Sequence, residues 1–269
     1  MPSPASQQPP LIIGHRGASA LAPENTLVAF ERAMLDGADG IEFDVRLARD
    51  RVPVVIHDAT LRRTGLREAD VASLSSKELG SVDVGTWFNL RHPSKASREY
   101  EQATVPTLYQ VFEMFGSKSA AVLYVEMKCE QGESRALAVE VADLLRGSAL
   151  HERVVVESFN HEAIVEIKRI DSSIRTAALF EPKLARPLPS IRRMIERAKS
   201  CRADEIALHR SLASRRAAEE AERAGMPMVV WTVDNPSWVR RARRYGVFAL
   251  ITNNPALMRD GLRAELPEG

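Results

Sequence analysis

Seven side chains in this sequence have types and spacings that ordinary core-building does not require. His15 and His57 each close a short apolar run, LIIGH and PVVIH. Between them, IEFDV carries Glu42 and Asp44 two residues apart, and a later run, VEMK, carries Glu126 and Lys128 two residues apart. Residues two apart on a strand share a face, so each of these pairs projects to one side. Arg16 follows His15 directly. Buried carboxylates must be paired or must bind a metal. Arg16 and Lys128 could neutralise two of the three acids, and a divalent ion would do so with less geometric demand. Three carboxylate ligands with few nitrogens suit a hard cation, Mg²⁺ or Ca²⁺, whereas zinc would more often recruit the histidines. A metal beside Arg16 and Lys128 forms an anion site, the arrangement that stabilises charge in phosphoryl transfer. The two histidines would then supply a general base and a general acid.

The elements that must hold these residues begin with a buried strand at Leu11–Gly14. A helix opens at Pro23-Glu24-Asn25-Thr26 with Asn25 or Thr26 as its cap, carries Leu27, Phe30, Met34 and Leu35 at helical spacing, and stops at Gly37. Ile41–Val45 is the next strand. Val52–Ile56 follows after only about six residues, too few for a parallel crossover, so the two strands form an antiparallel hairpin with its tip near Arg49-Asp50-Arg51. A tip centred there pairs positions summing to about 101 and sets His57 opposite Asp44. Residues 59–104 are polar and irregular, with one short helix at Ser75–Leu79, where Ser75 and Glu78 have capping-box spacing. An excursion of this length leaving directly from His57-Asp58 is read as a lid over the site.

From Leu108 onward the pattern is regular. Helices at 108–115, 134–146, 161–169, 191–199, 212–224 and 236–245 precede strands at 120–127, 154–158, 175–180, 205–208, 228–231 and 248–251, and a last helix covers 255–262. With the hairpin arm set aside, eight strands alternate with eight helices. The strands are continuous apolar runs, as parallel strands buried on both faces should be. The expectation is an α/β protein, a (β/α)₈ TIM barrel with a hairpin extension and a small insertion after the second barrel strand. A doubly wound open sheet is the alternative, but Gly14-His15-Arg16-Gly17 is no dinucleotide fingerprint. Residues 1–10 read as a disordered tail without a signal peptide, and residues 11–269 as a single barrel domain.

In such barrels chemistry sits at the carboxyl ends of the strands. GHRG, PENT, IEFDV with its hairpin, and VIHD resemble the glycerophosphodiester phosphodiesterase family, and the likeness continues through VEMK, ESF and WTV along nearly the whole chain. The resemblance implies a (β/α)₈ barrel that hydrolyses glycerophosphodiesters to glycerol 3-phosphate and an alcohol. It implies that His15 and His57 are the catalytic pair, that Glu42, Asp44 and Glu126 are the metal ligands, and that Arg16 and Lys128 contact the phosphate. It makes Phe159 and Trp231 linings of the substrate pocket. It further implies that a substrate hydroxyl attacks first to give a cyclic phosphate, with the histidines exchanging roles in its hydrolysis. Asp234 departs from the family, many members of which have Asn after WTV; that bears on the glycerol or head-group contacts.

Other readings compete with these. Glu42 and Asp44 could be structural partners of Arg16 and Lys128, and Phe159 and Trp231 could be plain barrel packing. Ser158 lacks a GxSxG elbow and is assigned to packing or a water contact. His92, His151 and His161 are read as solvated, His209 is left open, and Cys129 should pack under a helix. Arg240, Arg241, Arg243 and Arg244 read as a solvated outer helix face. With a net charge of +1 and 27% charged residues, neither nucleic acid nor an anionic membrane is expected as main partner. Two cysteines and no run of about 18 apolar residues point to a cytoplasmic protein with no membrane anchor. The same chemistry on lysophospholipids is the runner-up, with an apolar rim from Leu66, Leu74, Leu79, Trp87 and Phe88. A barrel that binds phosphate without turnover is the third reading.

Overall fold

A computed structural model describes residues 9–116, 119–130, 132–182 and 190–264. The expected disordered tail lies outside the described residues at positions 1–8. Strand β1 (Leu11–His15) is followed by α1 (Leu27–Leu35), β2 (Gly40–Leu47) and β3 (Pro53–Val55). Then come α2 (Ser76–Leu79), α3 (Thr86–Arg91), α4 (Leu108–Phe115), β4 (Val122–Met127) and α5 (Ser134–Leu145). The remainder is β5 (Val154–Ser158), α6 (His161–Ile170), β6 (Arg175–Phe180), α7 (Ile191–Ser200), β7 (Glu205–His209), α8 (Arg215–Arg223), β8 (Met228–Trp231), α9 (Ser237–Tyr245), β9 (Ala249–Thr252) and α10 (Pro255–Arg263). The strands pair in the order β1-β9-β8-β7-β6-β5-β4-β2, and β2 pairs back to β1. All of these pairings are parallel, so eight strands close on themselves. Strand β3 hangs antiparallel on β2. The expected TIM barrel with a hairpin extension is the observed fold.

Alternation in the strands explains both cores. Inward residues such as Ile13, Tyr124, Val155, Ala177, Ala207, Val229 and Ile251 fill the barrel. Their neighbours point outward and pack under the helices, as Ile41, Phe43, Val125 and Val156 do against Phe30, Val111, Leu137 and Ile167. Gly40 is required where β2 meets β4, since a Cβ there would sit 2.0 Å from the Val122 carbonyl oxygen.

Several local expectations need correction. The hairpin register is Val45 opposite Val55, so paired positions sum to 100, and Asp44 faces Ile56 rather than His57. The reason is the turn. Arg51 adopts the left-handed region (φ 66°) and its N–H donates to the Ala48 carbonyl, which centres the loop on Asp50. His57 reaches the same side only because β3 ends at Val55 and the chain leaves the pleat; the Arg46 guanidinium donates to the His57 carbonyl at 2.8 Å. Thr26, not Asn25, caps α1. Its buried face is Ala29, Phe30 and Ala33, while Leu35 is 79% exposed. Helix α8 begins at Arg215 because Ser214 caps it. His92, His151 and His161 are half-buried rather than solvated, with the His92 ring 4.7 Å from that of Phe88.

The stretch 59–104 is more ordered than its composition implies. Helix α2 has the expected capping box between Ser75 and Glu78. Helix α3 was not foreseen; Asp83 accepts from the Gly85 and Thr86 N–H groups at its start. Leu61, Val71, Leu79, Val82 and Val84 form an apolar cluster with Val54 and Ile56 of the hairpin arm. Phe88 and Tyr100 pack on Ala22 and Ala29. Leu79 and Phe88 are therefore wholly buried and form no rim.

The close β2–β4 approach yields an expectation. Gly40→Ala should lower unfolding stability by about 2–3 kcal/mol through overpacking against backbone that cannot yield, read as a lower urea midpoint at unchanged slope. An unchanged midpoint would contradict this packing.

Candidate active site

The inward positions at the carboxyl ends of β1, β2, β4 and β5 bring together His15, Glu42, Asp44, Glu126 and Glu157. Register makes this inevitable: His15 lies beside Glu42, Asp44 beside Glu126, and Glu126 beside Glu157. Oxygens of Glu42, Asp44 and Glu126 lie within 4.8 Å of one another, and all three residues are buried. Lys128 Nζ is 2.6 Å from Glu126 Oε1 and 3.2 Å from Asp44 Oδ1. Arg16 Nε is 3.1 Å from Asp44 Oδ2, and the Arg16 backbone N–H donates to Glu42 Oε2 at 3.1 Å. Arg16 adopts the left-handed region (φ 53°), unusual for a long side chain; this backbone turn is what lets its N–H and its guanidinium both face the acids. Asn25 Nδ2 donates to Asp44 Oδ2 at 2.8 Å, and Asn25 Oδ1 accepts the Asp44 N–H.

The charge balance is uneven, with four buried carboxyls facing two cations. Burial alone would raise Asp44, but Arg16 and Lys128 outweigh it and hold that carboxyl well below the usual range. Burial and the charges of Asp44 and Glu126 push Glu42 well above its ordinary value. Burial, then Asp44, pushes Glu126 up to about 7. Burial, then Glu42 and Glu126, raises Glu157. Asp44 Oδ1 has no hydrogen-bond partner among the described residues, because the Lys128 contact lacks hydrogen-bond geometry. A hard divalent cation is compatible with this donor set: three converging buried carboxyls, and more acidic groups than Arg16 and Lys128 can neutralise once all ionise.

The two histidines flank the acids. His15 Nε2 is 3.8 Å from Glu42 Oε2, and its Nδ1 is 2.7 Å from Asn253 Oδ1. His57 Nδ1 is 2.7 Å from Asp58 Oδ1. Burial, then Arg16, lowers His15 to about 4. Burial also lowers His57, partly offset by Asp44. His15, Arg16, Glu42, His57, Glu126, Lys128, Glu157, Phe159 and Trp231 all line one cavity of about 390 Å³, so it includes all of the expected site residues except Asp44, which lies fully buried behind it. The Phe159 and Trp231 rings meet edge to face at 5.3 Å, and Lys128 Nζ lies 5.6 Å from the Phe159 centroid. Trp231 Nε1 is buried without an acceptor among the described residues.

Residues 15–257 match the family described as "Glycerophosphoryl diester phosphodiesterase family". The chain belongs to that family. A curated relative from Caldanaerobacter subterraneus subsp. tengcongensis, named glycerophosphodiester phosphodiesterase, is 32% identical and aligns over 91% of this chain and 94% of its own length. A Bacillus subtilis protein of the same name is 28% identical over 92% of this chain and 84% of its own length. Among solved structures, an Oleispira antarctica phosphodiesterase in complex with the product sn-glycerol-3-phosphate superposes with a TM-score of 0.83 at 25% identity, covering 95% of this chain and 97% of that one. The reaction class is that of the family, hydrolysis of a phosphoric diester. Among the described residues no helix is long and apolar enough to cross a membrane.

Several site residues escaped the sequence reading. Glu157 sits inside VVVES, and a lone acid in an apolar run was the available signal. Arg63, from the 59–104 stretch, donates from Nε to Asp58 Oδ2 at 2.6 Å and from both terminal nitrogens to Glu24 at 2.8 Å; Glu24 in turn accepts from Arg16. No local pattern marks these contacts. Ser158 packs as expected, donating to the Met127 carbonyl at 2.8 Å, and Cys129 packs against the outer core. Arg240, Arg241, Arg243 and Arg244 are exposed, with Arg241 stacked on Trp238.

The raised Glu126 gives a pH dependence with a definite sign. In protein stripped of divalent cations, stability should fall as pH rises from 4.5, the unfolded value, to about 7, the folded one. Ionisation is then favoured only in the unfolded chain, and the loss is of order 3 kcal/mol. Glu126→Gln should make that part of the profile shallower in denaturant titrations, with Glu42 and Glu157 still contributing; an unaltered slope would refute the assignment.

Proposed function

We propose that this chain hydrolyses glycerophosphodiesters to glycerol 3-phosphate and an alcohol, with a divalent cation held by Glu42, Asp44 and Glu126 and protons moved by His15 and His57. The observation that carries the reading is the cluster of three buried carboxylates facing two cations and two histidines in one cavity. Arg16 and Lys128 bind and orient the anionic phosphate. A bound Mg²⁺ or Ca²⁺ would polarise the phosphoryl oxygens and stabilise added charge at phosphorus.

The histidines differ in their partners. His15 is held by the neutral amide of Asn253, which favours the charged ring less than a carboxylate would and is outweighed by burial beside Arg16. His57 is held by the Asp58 carboxylate, which favours the imidazolium. His15 is therefore the base that takes the proton from the attacking hydroxyl. His57 is the acid that protonates the leaving alkoxide. The two exchange roles if a cyclic phosphate forms first and water then opens it. Phe159 and Trp231 wall the substrate carbons, and the unsatisfied indole N–H of Trp231 offers a donor to a substrate oxygen. The glycerol 3-phosphate bound to the Oleispira structure supports the product assignment. Two unpaired cysteines support a cytoplasmic location.

A second reading, the same cleavage of lysophospholipids, draws on a larger hollow of about 820 Å³ that shares Glu24 and Asn253 with the site's surroundings. Its rim carries Leu66 and Leu90, which are 55% and 68% exposed, beside Trp87. The rate on a lysolipid against its deacylated counterpart separates the two.

Glycerol 3-phosphate release from glycerophosphocholine should stop with EDTA and return with Mg²⁺ or Ca²⁺. His15→Ala and His57→Ala should each lower kcat by about 10²–10⁴. Full activity in either variant would overturn the roles, and binding without product would favour the non-catalytic barrel. Independently of turnover, a cation at a hundred times its Kd should stabilise the fold by about 2.7 kcal/mol. The resulting rise in Tm should vanish in Glu42→Gln and Glu126→Gln.

A further inference from the structure

We propose that Asp234 is a positioning residue that acts through Asn253 to lock His15 in one tautomer, with the proton on Nδ1 and the lone pair on Nε2 facing the acids. The inference rests on His15 being the base, as argued above, but the lock itself can be tested apart from that role.

The loops after β8 and β9 meet here. Asp234 Oδ1 accepts the Asn253 N–H at 2.8 Å and the Thr252 hydroxyl at 3.0 Å, and Asp234 Oδ2 accepts from Asn253 Nδ2 at 2.7 Å. An ionised carboxylate only accepts, so the amide nitrogen of Asn253 must face it. The amide oxygen is then turned the other way, where it lies 2.7 Å from His15 Nδ1 and accepts the Ser19 hydroxyl at 2.9 Å. An amide oxygen also only accepts, so His15 Nδ1 must be the protonated nitrogen. The direction of every bond follows from the acceptor at the end of the chain. Asp234 is exposed, and among the described residues its hydrogen bonds go to Thr252 and Asn253 rather than to the acid cluster, Arg16 or Lys128; its effect reaches the base through one amide.

Replacing Asp234 with Asn keeps the shape and breaks the direction. One oxygen is still needed for the Asn253 N–H and the Thr252 hydroxyl, so the new NH₂ faces the Asn253 amide. That amide turns over to offer its oxygen, and its own NH₂ then faces His15 Nδ1. The ring must accept there and carry its proton on Nε2. The swap Asp234→Asn with Asn253→Asp restores the original direction, because the carboxylate at 253 accepts from both the new amide and His15 Nδ1.

The test is long-range ¹H–¹⁵N correlation on ¹⁵N-histidine-labelled full-length protein, with His15 assigned by loss of its signals in His15→Gln, together with steady-state kinetics on glycerophosphocholine. The wild type should show the Nδ1–H signature and Asp234→Asn the Nε2–H signature. Asp234→Asn should lower kcat by about 10²-fold or more with KM within about threefold. The double swap should recover the Nδ1–H signature, while its kcat is not the readout because the carboxylate at 253 also favours the charged ring. An Nδ1–H signature retained in Asp234→Asn overturns the lock. So does a double swap without the Nδ1–H signature, or a loss in Asp234→Asn confined to KM. The double swap preserves every bond, so it keeps the test decisive if the single variant unfolds. Full activity of His15→Ala beside a reversed signature in Asp234→Asn would leave the lock standing and refute the base role.

Discussion

Four carboxyls and two cations confined to one end of a barrel are the constraint on which the rest of this structure depends. Ile13, Val155, Leu179 and Ile251 surround the cluster, and below it the barrel interior is packed, with its own Tyr124–Glu205–Arg175 contacts, so little solvent reaches the acids from that side. Arg16 and Lys128 both turn to Asp44, the most deeply buried of the acids, and leave Glu42 and Glu157 without a close cation. Opposite shifts result: Asp44 held down, Glu42 and Glu157 pushed up. Paired burial is tolerated only near neutrality, and here the imbalance has the sign that a cation corrects.

The same constraint explains what surrounds the cluster. Arg16 must hold an unfavourable backbone angle to face Asp44, and Glu24 and Asn25 fix it there from the loop before α1. Glu24 is tied in turn to Arg63, which also grips Asp58 behind His57. The stretch 59–104 thus stands in a continuous line of charge-assisted hydrogen bonds to the first loop of the barrel. Its apolar clusters, one on the hairpin arm and one on Ala22 and Ala29, seat it there. The arrangement gives that stretch a structural task distinct from covering the cavity: it sets the partner of one histidine.

Much of this was legible in the sequence where periodicity carried it. Strand and helix alternation and the too-short link from Val45 to Val52 led to eight barrel strands and an arm. Two-residue spacing placed Glu42 with Asp44 and Glu126 with Lys128. What could not be read depended on contacts between distant segments, or on turns with no glycine to mark them. The hairpin slipped by one position because Arg51, not a glycine, adopts the left-handed angle. Helix α3 lacks a capping box and was hidden in a polar stretch. Leu35 has helical spacing with Leu27 but faces away from the barrel, since small Ala29 and Ala33 allow α1 to approach closely instead. Arg63 carries no local signal at all and Asn253 only its place after a barrel strand, because Asn253 matters through His15 and Arg63 through Asp58, the partner of His57.

Those two contacts separate otherwise similar histidines. Each ring is held through Nδ1 and each is near Asp44, so distance alone does not assign their roles. The partners do. A carboxylate behind His57 stabilises a ring that carries two protons, and an amide oxygen behind His15 fixes one proton and favours a second less. Burial next to Arg16 further disfavours charge on His15. The proposed reaction, which removes a proton on one side of phosphorus and delivers one on the other, would draw on this asymmetry. It is built from second contacts, Asp58 with Arg63 and Asn253 with Asp234, on loops that the barrel strands hold at opposite sides of the acid cluster.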